Sequence, residues 1–295
     1  YLNYIFILMI IWLASYPKSG NTWLRFFIIS LLIGDKTKLN LNHLNAILDF
    51  PNIKQFEGLM SEFSDLKEVS KNWINAQEKI NSDKSFKFFK THNMLGKLNG
   101  FSFTNYENTL AAIHIVRDPR NIITSLKNHW SLETYDETKK LMFNDKQILT
   151  LSVKEQKKFK KYKNKHSLPQ MIGSWKTNYI SWKKMDKNYL LVKYENLIKN
   201  PKTEFTRIAS FISSLTNIKF DDKQIDNAIK LSSFEKLEAM EKENGFIESA
   251  INKKGGKNKF FYLGPKNKWQ NILDSKISNS IEEVFKVEMK ELGYL

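Results

Sequence analysis

Ile10-Ile11-Trp12-Leu13-Ala14-Ser15-Tyr16-Pro17-Lys18-Ser19-Gly20-Asn21-Thr22-Trp23-Leu24-Arg25 is the stretch on which the fold turns. A neutral apolar run, as long as a buried strand, stops at Pro17. Lys, Ser, Gly and Thr follow, and beyond them the apolar spacing becomes helical. The pattern predicts a strand, a tight turn and a helix start. Such a turn directs the amides of Ser19, Gly20, Asn21 and Thr22 to the positive end of the helix, with Lys18 and two hydroxyls beside them. That is a cradle for phosphate or sulfate. It is not a Walker A loop, because Lys18 precedes Gly20 and no second glycine is present.

The 295 residues suffice for a large core, and no linker or internal repeat divides them, so a single domain spanning 1–295 is expected. Residues 1–8, ahead of Met9, are expected to be an upstream extension. There is no cysteine, and His43, His92, His114, His129 and His166 show no metal-ligand spacing, so no metal is expected. The net charge of +16 suggests an acidic partner, yet only Arg25, Arg117, Arg120 and Arg207 among the 47 basic residues are arginine. The lysine excess reads as solvated surface that attracts a polyanionic nucleotide rather than as a nucleic-acid track. The apolar run over residues 4–14 is too short to span a membrane and lacks signal-peptide flanks. A cytoplasmic, bacterial-like protein is expected from composition and from the lack of targeting signals.

Beyond the turn, Asn21 to Ile33 predicts a helix ended by Gly34, and residues 35–84 carry short helical pieces at Asn40 to Leu48 and Asp65 to Ile80. Strands are predicted at Ser85 to His92, Ala111 to Val116 and Tyr189 to Tyr194. In an open parallel sheet, reactive groups lie beyond the carboxyl ends of strands, where Lys18, Lys90, His92 and Arg117 all fall. Asp118 and Pro119 start a helix to about Trp130, while Arg120 reads as surface. Residues 131–166 read as a mobile flap or an extra helix. Gln170 to Met185 is helical, with Trp175, Tyr179 and Trp182 as a core stripe. Helices follow from Pro201 to about Ile212, at 222–231, 233–242 and 275–291, with a loop from Gly245 to Lys268. Alternation of strand and helix argues for one three-layer α/β domain around a mostly parallel sheet.

Pro17-Lys18-Ser19-Gly20-Asn21-Thr22-Trp23 resembles the 5′-phosphosulfate loop of the cytosolic-type sulfotransferases, a P-loop-like element that binds 3′-phosphoadenosine-5′-phosphosulfate (PAPS). Further motifs follow in the family's order from Ile10 to Leu273. Lys90-Thr91-His92 looks like its catalytic Lys-x-His, and Arg117 with Ser125 like its 3′-phosphate grip. Tyr194-Glu195-Asn196 is similar to its Tyr-Glu-Asp segment, and Ser232-Ser233-Phe234-Glu235 to its Ser/Thr-Ser-Phe-Glu segment. The resemblance implies a PAPS-dependent transferase with a small-molecule acceptor. His92 is its general base, Lys18 neutralises the leaving oxygen and Lys90 holds the sulfuryl oxygens. Ser19, Gly20, Asn21 and Thr22 hold the 5′-phosphate, and Trp23, Tyr194, Ser232 and Phe234 surround the adenine. An imidazole with an ordinary pKa near 6.5 suits a base at neutral pH.

The chain departs from the family at Tyr262-Leu263-Gly264-Pro265-Lys266-Asn267-Lys268-Trp269-Gln270-Asn271, where the usual pattern is Arg-Lys-Gly-x-x-Gly-x-Trp-Lys-Asn. Gly264 fits, and Lys266, Lys268, Lys257 or Lys259 are the candidates for the missing charge. Asn267 is expected to take the left-handed conformation of the second glycine. Two alternatives stand beside this reading. A kinase of P-loop-like fold needs a Walker loop that is missing; an inactive nucleotide-binding module is suggested by the altered C-terminal loop. The acceptor and the oligomeric state are not legible.

Overall fold

In the computed structural model, which describes residues 9–149 and 168–295 apart from 35, 62, 64, 84, 187, 253 and 254, strand β1 (Ile10–Ser15) is buried throughout. A charge-free strand with neighbours on both edges and helices on both faces has to be. It pairs in parallel with β2 (Lys87–Thr91) on one side and β3 (Thr109–Val116) on the other, and β4 (Tyr189–Lys193) continues beyond β3. The sheet order is therefore β2-β1-β3-β4.

Side chains alternate across it. Ile11, Leu13, Ile113 and Ile115 pack with Phe27 of α1 (Asn21–Ile33), Phe205 and Ile208 of α5 (Pro201–Thr216) and Ala228 of α6 (Asp222–Leu231). Ile10, Trp12 and Ala14 face the other way, against Phe50, Phe103, Trp73 of α2 (Trp73–Asn81) and Trp182 of α4 (Trp175–Lys183). Trp12 lies 5.3 Å from the Phe50 ring and 5.1 Å from that of Phe103, and its indole N–H donates to Thr109 Oγ1 at 3.0 Å. Near the carboxyl ends of the strands, α3 (Pro119–His129), α4 and α8 (Ser275–Val284) close a further cluster around Tyr16 and Val116. The remaining helix used below is α7 (Phe234–Asn244). No described helix is long and apolar enough to cross a membrane.

The register fixes what meets at the carboxyl edge. Ala14 is opposite Thr91, and Ser15 is opposite Ile115. His92 therefore emerges beside Ser15, and Arg117 beside the turn that follows it. The chain leaves β1 for β2 on one side and reaches β3 on the other, so the strand order reverses at this edge, where a crevice opens in such sheets.

Several predicted elements divide. The segment 65–80 forms two helices, Leu66–Lys71 and α2, broken at Asn72, whose side chain donates to Glu68 O at 3.0 Å. The segment from Asn40 is a 3₁₀ turn, Leu41–Ala46. Gln170 and Met171 pair with Ile148–Leu149 as a short strand, and α4 starts only at Trp175, where Ser174 caps Thr177 N. The C-terminal helix breaks at Phe285. Within 131–166, Tyr135–Phe143 is a helix with a Thr134–Glu137 capping box, while 150–166, including His166, and the proposed extension 1–8 lie outside the described residues.

Arg120 is not surface. Its guanidinium reaches Asp118 at 2.7 Å, Glu282 at 2.5 Å and Tyr294 O at 2.6 Å, and stacks 4.1 Å from Trp269. These C-terminal partners lie more than a hundred residues away, which is why the local sequence gave no hint of them. Arg120→Ala strands Asp118, itself nearly buried, without its cation, and is expected to cost on the order of 3 kcal/mol, read as a lower denaturant midpoint.

Candidate functional site

The turn after β1 is held by its own strained backbone. Lys18 (φ 67°) and Gly20 (φ 106°) are both left-handed, and Gly20 caps α1. A side chain at Gly20 would also lie 2.6 Å from the Tyr194 ring and 3.1 Å from Ile115. Asn21 locks the turn from within, donating to Leu13 O at 2.8 Å and Ser15 Oγ at 3.1 Å. Its side chain is thus committed inward, leaving only its amide for an anion. Ser19 Oγ is buried with no hydrogen-bond partner among the described residues.

Lys18 sits with Nζ 3.6 Å from the centre of the Phe260 ring. Burial pushes its pKa down to about 7, with Arg117 and Lys90 adding to the fall and Glu248 opposing it. Arg117 donates to Lys18 O at 3.2 Å and lies 4.1 Å above the Tyr194 ring, while its Nε has no partner among the described residues. Tyr194 in turn stands edge-on to Trp23 at 5.6 Å.

His92 Nδ1 is 2.8 Å from Ser15 O and 3.1 Å from Ser15 Oγ. A carbonyl only accepts, so Nδ1 carries the proton and Nε2 keeps its lone pair. Gln170 accepts from His92 N at 2.8 Å and Asn178 donates to His92 O at 3.0 Å, so the backbone at this point is clamped. Burial, and then the charge of Lys90, holds the imidazole neutral well below its ordinary pKa. Lys90 itself lies 3.2 Å from Asp49 and 3.9 Å from Glu248.

The residues named from sequence fall into three groups. Around the turn, Lys18 touches Arg117, Arg117 and Gly20 lie against Tyr194, Thr22 and Lys90 share Glu248, His92 bonds Ser15, and Ser19 closes the turn through its amide on Tyr16 O. Trp23 and Phe234 line a pocket of about 180 Å³ together with Leu197, Ile198 and Pro265. The indole N–H of Trp23 is buried with no partner among the described residues.

The third group is engaged locally or exposed. Ser125 Oγ donates to Asn121 O at 3.3 Å and accepts from Asn267 at 3.3 Å; Ser232 Oγ donates back to Ala228 O at 2.8 Å. Lys266 and Lys268 are exposed, Lys259 pairs with Glu238, and Lys257 donates to Phe246 O. Gly264 (φ 50°) is required, because a Cβ there would stand 2.1 Å from the Phe234 ring. Asn267 does not take the left-handed conformation: its φ is −71°, and its buried amide is spent on Asn121 O, Thr124 and Ser125.

Arg25, Asp49, Gln170, Asn178 and Glu248 belong to the same network and were missed. Arg25, three residues after Thr22 on α1 and one of four arginines, was the one with a legible signal. Among the described residues, no group of three His, Asp or Glu is placed to hold a metal.

A family model described as sulfotransferase domain matches residues 10–293. Cytosolic sulfotransferase 10 of Arabidopsis thaliana is 23% identical over 288 residues, 95% of this chain and 78% of that one. Flavonol 3-sulfotransferase of Flaveria bidentis is 23% identical over 294 residues, covering 96% and 81%. Mouse sulfotransferase SULT7A1 complexed with PAP superposes with a TM-score of 0.56 at 20% identity, covering 95% and 84%. Retinol dehydratase, in complex with androsterone and the inactive cofactor PAP, gives 0.57 at 16% identity, covering 95% and 80%. At these identities the two structures establish the fold.

Gly20→Ala meets both a forbidden φ and a clash with Tyr194, so it is expected to lower stability by more than about 1 kcal/mol, measured by chemical denaturation.

Proposed function

The chain belongs to the sulfotransferase domain family, and from that premise we propose that it transfers a sulfuryl group from PAPS to a hydroxyl or amine of a small-molecule acceptor. The observation that carries the chemical assignment is the 2.8 Å contact between His92 Nδ1 and Ser15 O. It fixes the tautomer so that Nε2 is the ring nitrogen that can receive a proton, while burial and the nearby Lys90 make it a weaker base than the ordinary imidazole expected from the sequence.

The residues fit the co-substrate through buried donors that lack hydrogen-bond partners among the described residues: Ser19 Oγ, Arg117 Nε and Trp23 Nε1. In the proposed site, Lys18, Thr22 and the amides of Ser19, Gly20 and Asn21 hold the 5′-phosphate, and Arg117 with Ser125 holds the 3′-phosphate. Trp23 and Phe234 flank the base, Tyr194 supports Arg117 beside it, and Ser232 and Gly264 shape that pocket. Lys266 adds charge from the rim. As the acceptor oxygen bonds to sulfur, the sulfur–oxygen bond to the 5′-phosphate breaks and the acceptor's proton passes to His92 Nε2. Lys90 holds the sulfuryl oxygens while Lys18 neutralises the departing phosphate. The sulfuryl group carries less charge than a phosphoryl group, so ammonium groups suffice where kinases use Mg²⁺.

A small-molecule acceptor is supported by retinol dehydratase, whose structures contain androsterone and retinol. The cytosolic names of the plant relatives support a cytoplasmic location.

Adenosine 3′,5′-bisphosphate (PAP) is expected to raise the melting temperature more than ATP with Mg²⁺, and stabilisation by ATP with Mg²⁺ alone would transfer the case to a kinase. His92→Ala is expected to lower transfer by about 10²–10⁴-fold with the PAP shift intact; loss of that shift as well would make His92 a structural residue.

Lys18 adds a pH dependence. Its ammonium is charged below about 7 and neutral above, so PAP affinity should fall as pH rises through that value. Lys18→Arg, charged throughout, should flatten the profile measured by titration calorimetry.

A further inference from the structure

Glu248 lies in none of the sequence motifs. It stands in the loop after α7, where Ile247 and Ile251 are both more than half exposed, while Phe246, packed on Phe260 and Phe261, and Ser249, bonded to Glu241, anchor the segment on either side of it. Its carboxylate reaches across to α1 and β2. Oε1 accepts from Arg25 Nη2 at 2.5 Å, Oε2 accepts from Thr22 Oγ1 at 3.3 Å, and Oε2 lies 3.9 Å from Lys90 Nζ. Burial would raise this carboxyl's pKa, but Arg25 and Lys90 together hold it well below its ordinary value, so it is an anion.

Two of these three partners, Thr22 and Lys90, are the groups that the proposed function assigns to the phosphosulfate. Thr22 has one hydroxyl proton, and it is directed at Glu248. Lys90 already faces Asp49 at 3.2 Å as well as Glu248. A sulfuryl or phosphate oxygen drawn to the same corner would find the threonine donor spent and a fixed negative charge beside it, an arrangement that like charges disfavour.

We infer that Glu248 is an internal counter-anion in the cradle, which the co-substrate displaces on binding, so that this one side chain sets co-substrate affinity. The inference rests on the proposed PAPS site for the identity of the nucleotide, but the competition holds for any oxyanion at Thr22 and Lys90. Arg25, only 2% exposed, keeps Thr22 Oγ1 (3.3 Å) and Ile47 O (3.5 Å) as partners when the carboxylate leaves.

Titration calorimetry of PAP and of inorganic sulfate against the wild type, Glu248→Gln and Glu248→Ser tests this. Both variants should bind PAP about tenfold more tightly, and sulfate more tightly as well. Equal or weaker binding of both probes overturns the inference and makes Glu248 a brace for Arg25. If PAP binds none of the three proteins, the PAPS reading fails, and the sulfate result alone decides the competition. Should both variants misfold, hydrogen exchange in residues 245–252 of the wild type decides instead: acceleration on adding sulfate or PAP supports displacement, and unchanged or slower exchange overturns it.

Discussion

Everything at the carboxyl edge depends on the register of β1 between β2 and β3. Side chains in a strand alternate, so sliding β1 by one residue would turn Trp12 toward α1 and Leu13 toward Phe50 and Phe103, which burial on both faces forbids. With the register fixed, Ser15 has no choice of neighbours. Its carbonyl is at the height where β2 ends, and the hydrogen bond from His92 Nδ1 closes that gap. One contact therefore joins two strand ends and selects an imidazole tautomer.

The edge gathers Lys18, Arg25, Lys90 and Arg117 around the start of a helix, and each cation solves its desolvation differently. Arg25 and Lys90 are paired with Glu248 and Asp49. Arg117 lies on an aromatic face and is tied to a backbone carbonyl, and Lys18 lies on Phe260 and gives way in its proton affinity. Paired cations are satisfied without a ligand. The two that rest on aromatic rings have no carboxylate partner among the described residues, and they are the ones flanking the turn whose Ser19 hydroxyl lacks a hydrogen-bond partner among those residues.

The sequence disclosed the parts of this arrangement that are local. The neutral strand, the turn residues and α1 from Asn21 to Ile33 follow from hydrophobic period and turn chemistry, and the lysines and His92 follow from strand ends. Glu248 and Asp49 were beyond reach because their roles are set by partners from 40 to more than 200 positions away, and Arg120, though Asp118 stands two residues before it, is buried by Glu282 and Tyr294, more than 150 positions on, with no spacing rule to connect them. Helix ends failed for a related reason. Asn72 breaks one predicted helix because its side chain competes for backbone groups, and Gln170 left another because its carbonyl serves His92 N.

The altered C-terminal loop is better understood through Asn267 than through the missing Arg-Lys pair. Where the family carries a glycine for its backbone freedom, this chain places a side chain whose amide bonds Asn121 O, Thr124 and Ser125. The loop is thereby tied to α3, next to the residues proposed for the 3′-phosphate. Asn267 donates to Ser125 Oγ, so a serine lone pair is occupied and its proton remains the one group able to turn outward, away from Asn121 O. In the proposed site a neutral, part-buried hydrogen-bond relay stands beside the position where the family pattern carries two charges, and its contribution, unlike theirs, salt would not screen.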